Sequence, residues 1–387
     1  MKTPATRLSL TLMGGAAAVT LTLSANGQDS RYQSRRAFPA DSAVELQQGT
    51  LGAAWSSSRD LGSRLYRHRA GIRPGQHLVE EQPAPAASCK GGMASAKDAK
   101  VASVAAPVPN RWEVFGSLFY YSEDRERTVS DKCDIRKGSY GRTSSRGGSS
   151  SSSDSSLDVF GGSVGVEYHI NRCWSAGFSV AASKSEFKSG TLDGSDIDSV
   201  VLAPYVCFYR DDALGSADLW ADLTYGYGKH SYDTRRATRF GHADGSPDAD
   251  THQVEFLTGL NYGENDVIHG PFAGVRWITG TIDSFSESGP GGTNVPELDA
   301  NSLVSILGYQ VSYRYRQGSG CWVPQLRASW EHEFEDAAYA GDEDLAVLGA
   351  GIGYWWDSGW NVVLDYEGRF GEDTQGHLGK LSAGKEF

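Results

Sequence analysis

Three stretches of this chain carry residue types and spacings that could do chemistry. GGSVG at 161–165 has the G-x-S-x-G spacing, with Ser163 where a nucleophile would stand. Such a serine needs a strand-to-helix elbow to expose its hydroxyl. Here the motif lies inside FGGSVGVEYHI, which alternates as a strand and leads into no helix, so the spacing is read as coincidence. GAGIGY at 349–354 is glycine-rich, but it continues as strand and not as the helix a phosphate cradle requires. Its glycines instead relieve curvature or make room on the inner face. His332 sits in WEHEF between Glu331 and Glu333, on the strand face opposite those acids. Zinc needs more converging ligands than that. His230 and His242 bracket the basic stretch TRRATRF at 234–240, which reads as part of a long loop, either touching lipopolysaccharide or a ligand or simply solvated. No catalytic, metal or cofactor residue is assigned.

The charged residues make more sense once the elements carrying them are laid out. ADLWADLTYGYG puts Ala217, Leu219, Ala221, Leu223, Tyr225 and Tyr227 on one face and Asp218, Trp220 and Asp222 on the other. LVSILGYQVSYRYR sets Leu303, Leu307, Tyr309 and Val311 against Gln310, Ser312, Arg314 and Arg316. WVPQLRASWEHEF sets Trp322, Leu326 and Trp330 against Arg327, Glu331 and Glu333. WNVVLDYEGRFG sets Trp360, Leu364, Tyr366 and Phe370 against Asp365, Glu367 and Arg369. Strict alternation of this kind marks strands with one apolar and one polar face.

From Arg111 onward this segmentation gives about twelve strands, starting near Arg111, Leu157, Trp174, Ser199, Ala217, Thr251, Pro271, Asn301, Cys321, Asp344, Gly359 and Gly376. Short connections (170–173, 211–216, 317–320, 357–359) alternate with long ones (122–156, 187–198, 232–250, 285–300). A β-sandwich or propeller also hides an apolar face, so alternation by itself does not decide the fold. The aromatic strand ends, the paired charges opposite them and the persistent short/long rhythm favour a transmembrane barrel, with short turns on the periplasmic side. The expected fold is therefore all-β, a twelve-stranded antiparallel membrane barrel spanning 111–387. Its lumen would carry Asp218, Asp222, Arg314, Arg316, Arg327, Glu331, Glu333, Asp365, Glu367 and Arg369 as a structural ion-pair network.

The N-terminal part reads differently. Lys2 and Arg7 precede a mildly apolar run and then SANGQ, the layout of a secretory signal peptide over 1–27, cleaved near Ala25 to Gly27. Residues 28–110 hold a helix at about 41–70, with Asp41 or Ser42 as cap and Gly71 and Pro74 as stop signals. Gly49 and Gly52 weaken its continuity. A Pro/Ala/Ser-rich linker follows. The net charge of −12 argues against a nucleic-acid partner. The five cysteines lack any C-x-x-C, and the simplest pattern is incidental thiols with one pair such as Cys89–Cys133.

Residues 111–387 resemble the C-terminal translocator of the autotransporters, the type V secretion family. The resemblance is carried by PFAGVRWITGTIDSFSESGP at 271–290, by LGYQVSYRYR with WVPQLRASWEHEF, and by the closing LDYEGRFGEDTQGHLGKLSAGKEF. It implies a monomeric outer-membrane barrel with an N-terminal helix in the pore, for which GTLGAAWSSSRDLGSRLYRHRAG at 49–71 is the match. It also implies lipid and lipopolysaccharide as surroundings and a final aromatic, Phe387, read by the barrel-assembly machinery. Only about 80 residues separate the signal peptide from the barrel, too few for a stacked β-helical passenger. Some members cut themselves between two asparagines in the pore; residues 28–109 contain no asparagine, so no such cleavage is expected. An open porin-like channel, a surface adhesin and an outer-membrane hydrolase are the competing functional readings.

Overall fold

The structure is a computed structural model that describes residues 7–12, 19–24, 38–62, 67, 69–72, 112–128, 152–190, 192–264, 266–335 and 342–387. The expected cleavage site, most of the linker, Cys89 and Cys133 lie outside the described residues. Two compact units are present, Met1–Ala37 and Phe38–Phe387. In the first, β1 (Arg7–Leu12) and β2 (Val19–Ser24) pair as an antiparallel ribbon. The second opens with α1 (Ala40–Gly62), followed by the barrel.

The barrel strands are β3 (Trp112–Thr128), β4 (Ser152–His169), β5 (Trp174–Lys188), β6 (Leu192–Leu214) and β7 (Ala217–Thr238). Beyond a short β8 (Gly241–Gly245) come β9 (Asp248–Glu264) and β10 (Val267–Ile282). Two-residue strands β11 (Phe285–Ser286) and β12 (Asn294–Val295) make a loop hairpin. Then follow β13 (Leu298–Tyr313) with its continuation β14 (Tyr315–Gln317), β15 (Gly320–Glu333), β16 (Asp344–Trp356), β17 (Trp360–Phe370) and β18 (Thr374–Glu386). Each barrel strand pairs antiparallel with its sequence neighbour, and β18 pairs β3 to close twelve strands without a free edge. At the seam Phe387 N donates to Trp112 O (2.8 Å), so both ends of the barrel sequence meet on the short-turn side.

The alternation faces as its chemistry requires. Val114, Leu118 and Val164 point outward and are 52%, 57% and 65% exposed. A continuous apolar belt of this kind would be a liability in water and is what a bilayer covers. Rings flank it: Trp112 with Tyr168 and Trp174 with Phe208 on the short-turn side, Tyr225 and Trp330 near the other rim. No helix among the described residues is long and apolar enough to cross a membrane.

Three expectations need correction. Much of 187–198 and 232–250, expected as loop, is strand, with β6 and β7 running past the lipid belt as a ribbon. Beyond the belt the outward face turns polar too, as in Ser231–Asp248 (2.9 Å) and Arg235–Asp244 (3.2 Å), while the inward face mixes Tyr232 with His230 and Thr234, so the period-two signal fades although the ladder continues. The TRRATRF stretch is therefore mostly the end of β7, and Arg236 hydrogen-bonds Glu287 (2.8 Å), which holds its guanidinium above the ordinary arginine range. Second, the helix starts at Ala40, so Asp41 and Ser42 lie in its first turn and Pro39 O accepts from Ala43 N. Third, Cys173 is disulfide-bonded, where the expected pairing left it a thiol; Cys207 and Cys321 are free and buried.

Candidate functional site in the barrel lumen

Helix α1 runs down the lumen. Phe38, just before it, packs on Phe285 in the long-loop region, and Arg67, beyond its end, reaches Glu113 and Glu386 beside the short turns. The glycines that seemed to threaten its continuity are what let it fit. A Cβ on Gly52 would stand 2.3 Å from Leu157 Cδ2, and one on Gly49 3.3 Å from Ile197 Cδ1. Alternating small and large residues thus bring the helix backbone against the wall, where burial offsets the propensity cost of about 1 kcal/mol per glycine.

The contact has two chemistries. Toward the loops, Leu46, Leu51, Ala54 and Trp55 pack among Phe119, Tyr121, Leu157, Phe187, Ile197 and Ile278 of the wall. Thr50 Oγ1 meets Tyr232 Oη (2.5 Å) within this collar, and His230, two residues nearer the short turns on β7, bridges Ser199 (2.8 Å) and Thr251 (2.8 Å). Next comes a ring of charge. Arg59 pairs with Glu331 and with Glu367 (3.2 Å). Glu331 also lies 3.6 Å from both Arg276 and Arg369, Arg276 meets Glu255 (2.7 Å), and Arg369 meets Glu123 (3.0 Å). Arg327 forks onto Asp365 (2.7 and 2.9 Å) and reaches Glu367 (3.1 Å). Gly349 makes room for that fork, since a Cβ there would stand 2.4 Å from Arg327 Cζ. Trp55 lies over this ring, with Arg369 Cζ 4.2 Å, Arg59 Cζ 5.3 Å and Arg276 Cζ 5.9 Å from its ring centroid. Asp60 takes Lys380 Nζ (2.7 Å) and accepts Ser117 Oγ (2.6 Å).

Of the ten charges named from sequence, the structure brings Arg327, Glu331, Asp365, Glu367 and Arg369 together in this ring. Asp222 faces the interior. Asp218 clasps the adjacent short turn, accepting from Tyr209 Oη (2.7 Å) and Asp212 N (3.0 Å). Glu333 sits at the opposite rim and accepts Leu303 N (2.7 Å). Arg314 and Arg316 stay out of the ring: the strand breaks at Arg314, and Arg316 pairs with Asp357 at the short turn (3.4 Å). Arg59, Asp60, Arg67, Glu113, Glu123, Glu255, Arg276 and Lys380 were not named from sequence. For the wall residues the same period-two reading, carried through β3, β9, β10 and β18, would have found them; those beyond the strands had no such signal.

Ser163 stands in mid-strand beside Ser117 (Oγ to Oγ 2.8 Å), and no elbow lifts it. A family model described as Autotransporter beta-domain matches residues 137–367. This chain belongs to that family. Its autotransporter barrel is similar to the translocator domain of autotransporter NalP from Neisseria meningitidis, with a TM-score of 0.57 and 18% identity over 72% of this chain and 89% of the other. It is also similar to the β domain of the Bordetella autotransporter BrkA, with a TM-score of 0.54 and 16% identity over 71% of this chain and 100% of the other. At these identities the likeness speaks to the fold. No curated protein matches the chain. The protein is thus an outer-membrane autotransporter barrel, of a transporter class of fold.

Proposed function

We propose that this barrel is a translocator-type pore held shut by α1, reaching the outer membrane by export through the periplasm behind the 1–27 signal peptide, and acting without catalysis. The observation that carries this is the helix itself, whose Leu46, Ala53, Ala54 and Trp55 are buried within the ring of strands. A porin would leave that space to water. Lipid and lipopolysaccharide surround the single barrel, and its terminal strand is the segment offered to the barrel-assembly machinery. Planar-bilayer recording tests the reading. The full chain should conduct rarely and briefly, and a chain lacking residues 38–72 should give a large steady conductance. A full chain that conducts steadily would establish the open-channel reading instead. Turnover of a peptide or phospholipid substrate, lost on changing one lumen residue, would overturn the non-catalytic part.

A further inference from the structure

At the short-turn mouth, three carboxylates stand in a row on adjacent strands. Glu386 of β18 is the register partner of Glu113 of β3, and Glu113 is the register partner of Glu167 of β4. Like charges directly opposite on a sheet repel. His169 is two residues on from Glu167, so it shares the inner face, with Nδ1 3.5 Å from Glu167 Oε1. One ligand atom each from Glu113, Glu167 and His169 lie within 4.8 Å of one another, and all three residues are buried. We propose that Glu113, Glu167 and His169 form a divalent-cation site, for an ion that accepts mixed oxygen and nitrogen ligands such as zinc, and that Arg67 of the plug competes for it.

The donor set and its setting support this. Neutral imidazole and carboxylate are ordinary zinc ligands, and donors around a tetrahedral zinc stand roughly 3.3 Å apart, against the 4.8 Å within which these atoms lie. Two neighbours already orient the carboxylates: Tyr205 Oη donates to Glu167 Oε2 (3.0 Å) and Asn361 Nδ2 to Glu113 Oε1 (3.2 Å). Outer partners of this kind are what hold metal ligands in place. A cavity of about 30 Å³ adjoins Glu113 on its Arg67 and Asn361 side. The Arg67 guanidinium now bonds Glu113 and Glu386 and serves as the resident cation. A plug that slips away would withdraw the Arg67 guanidinium from Glu113 and Glu386, and a divalent ion would take its place. The site thus goes beyond gating, and metal binding is read directly, so it stands or falls apart from the conductance result.

The test is calorimetric titration of zinc chloride into the full-length protein in detergent, with heat-modifiable gel migration confirming that every variant is folded. The wild type should bind at one specific site. Affinity should fall at least about tenfold in His169→Ala and in Glu167→Gln, and rise about tenfold in Arg67→Gln. Equal affinity and stoichiometry in wild type and His169→Ala, or no zinc binding by the Arg67→Gln protein, would overturn the site. Binding that is lost in His169→Ala but unchanged in Arg67→Gln would overturn the competition.

Discussion

Arg369, on the barrel wall, holds its guanidinium carbon 4.2 Å from the ring centroid of Trp55, on the helix. The same guanidinium pairs with Glu123 (3.0 Å), so one strand residue ties the plug to the seam of the barrel. Trp55→Ala removes the central ring of the plug contact, and truncating a buried tryptophan costs about 3–5 kcal/mol. Openings of the full-length pore in planar bilayers should become far more frequent, with Trp55→Phe intermediate.

Glu331 is buried at 1% exposure and faces Arg59, Arg276 and Arg369. Removing one partner of a buried ion pair costs about 3–5 kcal/mol. Glu331→Gln should therefore lower the temperature at which the heat-modified gel band appears. Arg59→Gln with Glu331→Gln should cost less than the sum of the two single changes, which a double-mutant cycle reads as coupling.

Gly52 has no room for a side chain, because Leu157 Cδ2 lies 2.3 Å from where its Cβ would be. Gly52→Val should displace α1 and raise conductance, although valine is the better helix former. Leu157→Ala in the same chain should restore much of the closure.

Phe387 is outward-facing and 62% exposed, with Leu381 on the same face. Lys385, which shares that face, sets its ammonium over the Trp360 ring (5.7 Å) and the Phe387 ring (5.8 Å) and bonds Ser358 O, so a lysine is accommodated at the interface. Deleting Phe387 should reduce the yield of heat-modifiable, membrane-inserted barrel in cells, while Lys385→Leu should leave it near wild type.

The barrel was legible in the sequence wherever lipid touches it. Leu364, Tyr366 and Phe370 against Asp365, Glu367 and Arg369 is a period-two pattern that only a two-faced strand satisfies, and the structure faces them so. Above the belt, Ser231, Asp233 and Arg235 are solvent-facing and the inward positions are His230, Tyr232 and Thr234, so polarity no longer marks a face. That is why the sequence of these strand ends reads as loop. The polar lumen was anticipated, but its apolar collar was not. Phe119 and Tyr121 look like lipid-facing aromatics in FGSLFYYS until the helix gives them something to bury against. Gly52 likewise reads as a helix breaker until Leu157 is seen beside it.

The most direct test of the plug is a disulfide between helix and wall. A Cβ on Gly280 would lie 3.1 Å from Thr50 Cγ2, within reach of a disulfide. Thr50→Cys with Gly280→Cys, in a chain whose five native cysteines are changed to serine, should cross-link on mild oxidation in outer membranes and shift gel mobility. The helix-in-pore account predicts this cross-link and a pore that no longer opens until reductant is added. If that pair stays reduced while Ser117→Cys with Ser163→Cys, on paired strands, cross-links under the same conditions, the helix does not occupy the lumen and the account fails.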